Sequence, residues 1–90
     1  MIKNLEYDKL TIYEVEDLHK EILAIINNVE DELILDFSRI QKLDMTSIQL
    51  LIATKESCKK KSIPFSTINL STALKETLIS CGCDTVLEVN

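Results

Sequence analysis

Apolar residues recur at spacings of three and four in the first third of the chain: Val15, Leu18, Ile22, Ile25, Ile26 and Val29. Glu16, Asp17, Lys20, Glu21, Asn27 and Asn28 stand between them, so the segment predicts an amphipathic helix with one face toward a core. Thr11-Ile-Tyr-Glu14 opens it as a capping box. The Thr11 hydroxyl takes an N–H that has no intrahelical partner, and the Glu14 side chain reaches back. His19 falls at the rim of the stripe, where a lone histidine is a packing residue rather than a ligand. The pattern changes at Leu33-Ile-Leu35, three aliphatics in a row, which predict a strand over 32–37 covered on both faces, as in a parallel sheet between helices. A bend follows at 38–42, with Ile40 and Leu43 as apolar anchors. Helical spacing then returns with Ile48, Leu51, Ile52 and Cys58, predicting a second helix from about Thr46 to Lys60 with Gln49, Lys55, Glu56 and Lys59 outward.

Pro64 cannot extend that helix and suits the start of a strand over 65–69, carried by Phe65 and Ile68. Ser71 is a good N-cap for a third helix with Leu74, Leu78 and Cys81 inward. The chain's one glycine, Gly82, lies where a left-handed C-terminal cap is needed. Residues 1–6 predict a short edge strand holding Ile2 and Leu5. The tail, with Val86, Leu87 and Val89, predicts a short strand or a docking segment. The order implies an α/β fold, a small mainly parallel or mixed β-sheet flanked by α-helices, joined by right-handed crossovers in a single domain over residues 1–90.

Ninety residues leave room for one core. The net charge of −5 argues against nucleic acid or an anionic membrane surface as main partner, because both call for a basic patch. The one basic run, Lys59-Lys60-Lys61, falls at a helix end, where it complements the helix dipole. The opening residues are too polar for a signal peptide, and no apolar stretch approaches the roughly 20 residues of a membrane span, so direct membrane insertion is not expected. Cys58, Cys81 and Cys83 are odd in number and lack the spacing of a disulfide framework, which fits a reduced, cytoplasmic setting.

Those residues also bound the chemistry. One histidine and three cysteines offer no familiar metal-ligand spacing, and one glycine cannot build a phosphate loop. His19 has no nucleophile near it in sequence. No catalysis, metal or cofactor is expected. What remains is a polar group at the strand-to-helix junctions: Asp36, Asp44, Thr46 and Ser47, with Ser71 and Thr72 opening the third helix. In an open parallel sheet the carboxyl ends of strands and the N-termini of helices share one rim, so these groups can converge. Equally, Asp44 or Thr46 can simply cap the second helix, and Asp36 can end its strand through a bend hydrogen bond.

The segment from Leu10 to Gly82 resembles a STAS domain, the module of sulphate transporters and anti-sigma factor antagonists. Leu10-Thr-Ile-Tyr13 is similar to the family's approach to its first helix. Leu33-Ile-Leu-Asp-Phe-Ser38 resembles its central strand ending in Asp-Leu-Ser, and Leu43-Asp-Met-Thr-Ser-Ile-Gln-Leu-Leu51 resembles its signature Asp-Ser-Ser-Gly-Leu-x-x-Leu. Ile68-Asn-Leu-Ser71 and Leu78-Ile-Ser-Cys-Gly82 resemble the last strand and last helix. In the family's antagonists a partner kinase phosphorylates the second hydroxyl residue of that signature, and the phosphate releases the bound partner. Carried over by position, the resemblance implies Thr46 as acceptor, with Ser47 as second choice. Asp36, Asp44, Thr46, Ser47 and Gln49 are then the expected partner-facing set.

Two departures from the signature matter: Met45 stands for its first Ser and Ser47 for its Gly. The family also sets two strands before its first helix, where this chain has eleven residues. The expectation is a cytoplasmic, non-enzymatic binding domain of bacterial regulation, with a serine/threonine kinase or anti-sigma factor as partner. The alternatives are a constitutive subunit of a larger assembly, such as a lipid-transport ATPase complex or a chemoreceptor-associated array, and a thiol-based redox protein using Cys81 and Cys83.

Overall fold

Three strands pair in parallel at the centre of the molecule, in the order β1 (Ile2–Asn4), β3 (Leu33–Asp36), β5 (Phe65–Ile68). A computed structural model gives this architecture for residues 1–28 and 31–82. Leu33, Ile34, Leu35 and Asp36 pair with Phe65, Ser66, Thr67 and Ile68 on one side, and Ile34, Leu35 and Asp36 with Ile2, Lys3 and Asn4 on the other. The predicted 32–37 strand is therefore the central one. The predicted N-terminal strand is an edge, as expected, with Leu5 buried just beyond it and Ile2 exposed.

Coverage of the central strand differs from expectation. Leu33 and Leu35 are wholly buried, whereas Ile34 and Asp36 are half-buried. Side chains alternate across a strand, and here one face is sealed more completely than the other. The unbroken aliphatic run arises because Ile34 is retained on the less covered face, beside exposed Ile2 and Ser66.

Helix α1 (Ile12–Asn28) buries Leu18, Ile22 and Ile26, and α2 (Met45–Lys60) buries Ile48, Leu51 and Cys58. The two helices pack on each other. The stripe read from α1 is the buried one, with His19 exposed at its rim. Val29 lies outside the described residues. Helix α2 also buries a polar residue the spacing did not single out. The Thr54 hydroxyl donates to the Leu50 carbonyl at 2.8 Å, which satisfies it within the helix.

Helix α3 (Thr72–Ser80) buries Leu74 and Leu78 and starts on Ser71, whose hydroxyl accepts the Leu74 N–H at 3.2 Å. Its C-cap is Cys81, and Gly82 follows at φ +72°, the left-handed position predicted for it. Cys81 is exposed, not inward as its spacing from Leu78 suggested, because the helical turn ends at Ser80 before that spacing applies. Cys83 and the predicted tail segment with Val86, Leu87 and Val89 lie outside the described residues.

Two short strands had no periodic signal. β2 (Lys9–Leu10) pairs in parallel with β4 (Lys42–Leu43), in the register Lys9 to Lys42 and Leu10 to Leu43. Both strands the family sets before its first helix are thus present, as segments of three and two residues. The small ladder has a large consequence. Thr11 follows Leu10 and Asp44 follows Leu43, so the starts of α1 and α2 emerge side by side.

Candidate functional site

Asp44 is the N-cap of α2, with extended backbone at φ −112° and ψ 176°. Its Oδ1 accepts the Ser47 N–H at 2.9 Å, and the Ser47 hydroxyl accepts the Asp44 N–H at 3.1 Å, a reciprocal box. The Asp44 N–H is shared with the Leu10 carbonyl at 3.2 Å, which ties the cap to the β2–β4 ladder. The second carboxylate oxygen, Oδ2, accepts the Ile12 N–H at 2.9 Å, the first N–H of α1. One carboxylate therefore serves the N-termini of two helices. Thr11 and Glu14 complete the α1 end as the capping pattern foretold. Glu14 Oε1 accepts the Thr11 N–H at 3.0 Å and the Thr11 hydroxyl at 2.8 Å, while Thr11 Oγ1 accepts the Tyr13 N–H at 3.3 Å.

Partial burial alone would push the Asp44 carboxyl up. The N–H groups of Ser47 and Ile12, with the Ser47 hydroxyl and the Thr46 N–H, outweigh it and hold the acid below its ordinary range. Asp44 is ionised at neutral pH, as an ordinary aspartate is, and the shift extends that fixed negative charge to more acid conditions.

The expected site residues divide in two. Asp44, Thr46 and Ser47 lie together at the start of α2, with Gln49 exposed one turn on. Asp36 belongs to a separate arrangement at the carboxyl end of β3. Its Oδ1 accepts the Ser38 N–H at 2.9 Å and the Asn69 side-chain amide at 3.1 Å. The Ser38 N–H, then the Asn69 amide, hold the Asp36 carboxyl below its ordinary range against a smaller opposing effect of burial. Asn69 itself is left-handed at φ 59°, a conformation its short amide tolerates. No hydrogen bond joins the Asp36 and Asp44 groups among the described residues. Ser71 is committed to capping α3, and Thr72 is its exposed first residue.

Within the α2 group the hydroxyls have different fates. Ser47 is 0% exposed, and its hydroxyl donates to the Asp44 carbonyl at 2.8 Å while accepting the Asp44 N–H. It is a structural member of the cap, because the N3 position of a capping box turns its side chain back toward the N-cap backbone. Thr46 is half-buried, and its hydroxyl makes no hydrogen bond among the described residues. Around this cap lie exposed apolar side chains: Ile12 at 62%, Tyr13 at 84% and Met45 at 52%. Sequence reasoning did not single them out as a surface. Their signal was present, since Ile12 and Tyr13 fall before the buried stripe and Met45 stands where the signature has a serine.

Among the described residues no group of three or more His, Cys, Asp or Glu side chains is placed to hold a metal, and no helix is long and apolar enough to cross a membrane. Cys58 is buried in the core, and desolvation pushes its thiol up despite the opposing charge of Lys61. The family model described as "Mlab, STAS domain" matches residues 8–88. No curated protein matches the chain. The match spans β2 through α3, including the shared cap, and the chain belongs to the STAS domain family, whose members work in regulation through protein–protein contact and are typically non-catalytic.

Proposed function

We propose that this chain is a protein-binding regulatory domain whose partner face is the rim around the start of α2, and that phosphorylation of Thr46 switches it. The carrying observation is the division between the hydroxyls: Ser47 is consumed by the cap, while the Thr46 hydroxyl is uncommitted and half-exposed. A phosphate adds about −1.5 to −2 charge at neutral pH. At the second position of α2 it meets the positive end of the helix dipole, so the fold tolerates it. Toward a partner the effect is opposite. The charge lands beside ionised Asp44 and next to apolar Met45, Ile12 and Tyr13, where it repels an acidic face and breaks a flush apolar contact. The partner on this reading is a serine/threonine kinase or an anti-sigma-type factor, with Asp44 and Gln49 bordering the contact and Asp36 further along the rim.

The test is a phosphosite map of the protein from its native cells in several growth states, followed by partner affinity for Thr46→Ala and Thr46→Glu. State-dependent phosphate on Thr46, and a complex weakened at least about tenfold by Thr46→Glu, are expected. A stable fold with unchanged affinity for Thr46→Glu overturns the switch.

The exposed apolar trio favours one rival. A permanent subunit of a larger assembly, such as a lipid-transport ATPase complex or a chemoreceptor-associated array, would use Ile12, Tyr13 and Met45 for constitutive docking. A stoichiometric complex indifferent to both Thr46 variants, yet lost in Tyr13→Ser, identifies that case.

A further inference from the structure

Helices α1 and α2 are tied together at both ends. The Asp44 carboxylate holds the Ile12 N–H at their starts, and the Lys61 ammonium donates to the Asn27 side-chain oxygen at 3.2 Å at their finishes. Between these ties a furrow runs along the exposed side of the pair. Thr46, Leu50, Ala53 and Ser57 follow one another at four, three and four residues along α2, and Ile12, His19 and Leu23 at seven and four along α1, so each set shares a face. Midway the furrow deepens into a hollow of about 40 Å3. Among the described residues its walls come from α1 and α2 alone, with His19, Leu23, Leu50 and Ala53 around it. Leu23 is 47% exposed there, Ala53 and Ser57 are exposed, and Leu50 is half-buried.

One exposed leucine needs no explanation. A furrow whose hollow is walled by aliphatic and small side chains does, on an exposed helix pair in a chain with 28% charged residues. The charges stand beside it: Glu16 and Lys20, 3.7 Å apart, on α1, and Glu56 and Lys60, also four residues apart, on α2. Each flank is balanced in charge, so neither a polyanion nor a polycation is favoured. Both helices satisfy their own backbone groups, and the furrow offers an extended segment no ladder to join. It offers instead a hole between two ridges at helical spacing, where small Ala53 and Ser57 permit close approach, and that is the seat of a third helix. We propose that the partner face around Thr46 continues down this furrow, and that the partner fills it with an amphipathic helix of mixed charge, one apolar side chain seated in the hollow against Leu23, Leu50 and Ala53. From Thr46 to Ser57 the seat is about 16 Å long, three helical turns. The proposal rests on the reading of the rim as the partner face, because Thr46 and Ile12 stand at the mouth of the furrow, beside exposed Met45 and Tyr13.

The experiment is an amide-shift titration of the isotope-labelled full chain with a blocked peptide, Glu-Leu-Lys-Ala-Leu-Glu-Lys-Glu-Leu-Lys-Ala-Leu-Glu-Lys, whose leucines fall on one helical face. One control keeps the composition but scatters the leucines around the helix, and another replaces the central Lys-Glu with Pro-Gly. Saturable shifts centred on His19, Leu23, Leu50, Ala53 and Ser57 are expected. They should weaken about tenfold in Ala53→Arg and in Leu23→Gln, both at exposed positions, and for either control peptide. An equal response to either control marks unspecific apolar contact and overturns the proposal. No saturable response, or one indifferent to both substitutions, overturns it as well. Sedimentation without peptide tests the other occupant: a dimer of the chain that is lost in Ala53→Arg gives the furrow to a second copy and overturns the proposal. The Thr46 reading fails separately. Native-partner affinity indifferent to Thr46→Glu but lowered by Ala53→Arg overturns the switch and keeps the furrow, whereas affinity lowered by Thr46→Glu alone keeps the switch and overturns the furrow.

Discussion

Asp44 concentrates more structural duty than any other polar residue at the rim, and its consequences can be measured. Removing it orphans the Ser47 N–H at the start of α2 and the Ile12 N–H at the start of α1 together. Loss of an N-cap costs about 0.5–2 kcal/mol, and a second charge-assisted bond adds to it, so Asp44→Ala should destabilise the fold by about 2 kcal/mol in urea unfolding. Ser47→Ala should cost less, about 1 kcal/mol, because the Asp44 N–H keeps the Leu10 carbonyl as partner geometry and the carboxylate remains in place. The pH dependence has a definite sign. The folded-state pKa of Asp44 lies below its ordinary 3.8, so the unfolded chain binds the proton first as acid is added. The stabilisation is whole above that ordinary value and is lost as pH falls through the lower, folded one. Asp44→Asn keeps an oxygen for the cap but cannot titrate. Its stability should therefore fall less steeply than the wild type's over that acid window, in unfolding measured from neutral pH downward.

At the scale of elements, the long helices were legible because their periods are long enough to count, and their caps carried chemical labels. Thr11 with Glu14, Ser71 and Gly82 each occupy the position their side chains or backbone freedom suit. The two-residue strands β2 and β4 escaped because a period of two needs more than two residues to appear. With them went the fact that α1 and α2 start side by side, and hence the Ile12 to Asp44 bond and the apolar surface around it. Cys81 misled for a related reason: a helical spacing was extended one residue past the helix.

The turn after α2 was legible only as an ending. Its left-handed Ser62 makes a specific prediction: Ser62→Gly relieves the Cβ clash at φ 58° and should stabilise by up to about 1 kcal/mol by thermal unfolding. The attachment of α1 to the N-terminal segment gives another. The Tyr7 hydroxyl donates to Glu21 at 3.0 Å, and Lys3 lies 3.8 Å from the same carboxylate. Desolvation first, then the Glu21 hydrogen bond and nearby acids, push the Tyr7 phenol up to about 12 from 10.0. The neutral phenol is favoured in the folded chain, so its contribution is whole below 10.0 and is lost as pH rises through about 12. In a Tyr13→Phe background, Glu21→Gln should move the tyrosinate absorbance titration down toward 10.0.

For the whole molecule, the β2–β4 ladder and the Asp44 carboxylate bring the starts of α1 and α2 together, in a molecule whose longest dimension is 31 Å. Tyr13 at the start of one helix and Thr46 at the start of the other should therefore act on a partner as one surface. That unity is a measurable quantity. For a partner that engages this rim, the free-energy effects of Thr46→Glu and Tyr13→Ser should fail to add in the combined variant, by about 0.5–3 kcal/mol. The same cycle run on unfolding free energies should be additive within about 0.5 kcal/mol, because neither side chain is buried and the cap rests on Asp44 and Ser47. A coupling in binding but absent in folding would mean that the partner links the two helices. A coupling present in both would mean that the shared Asp44 cap itself transmits the charge change between them.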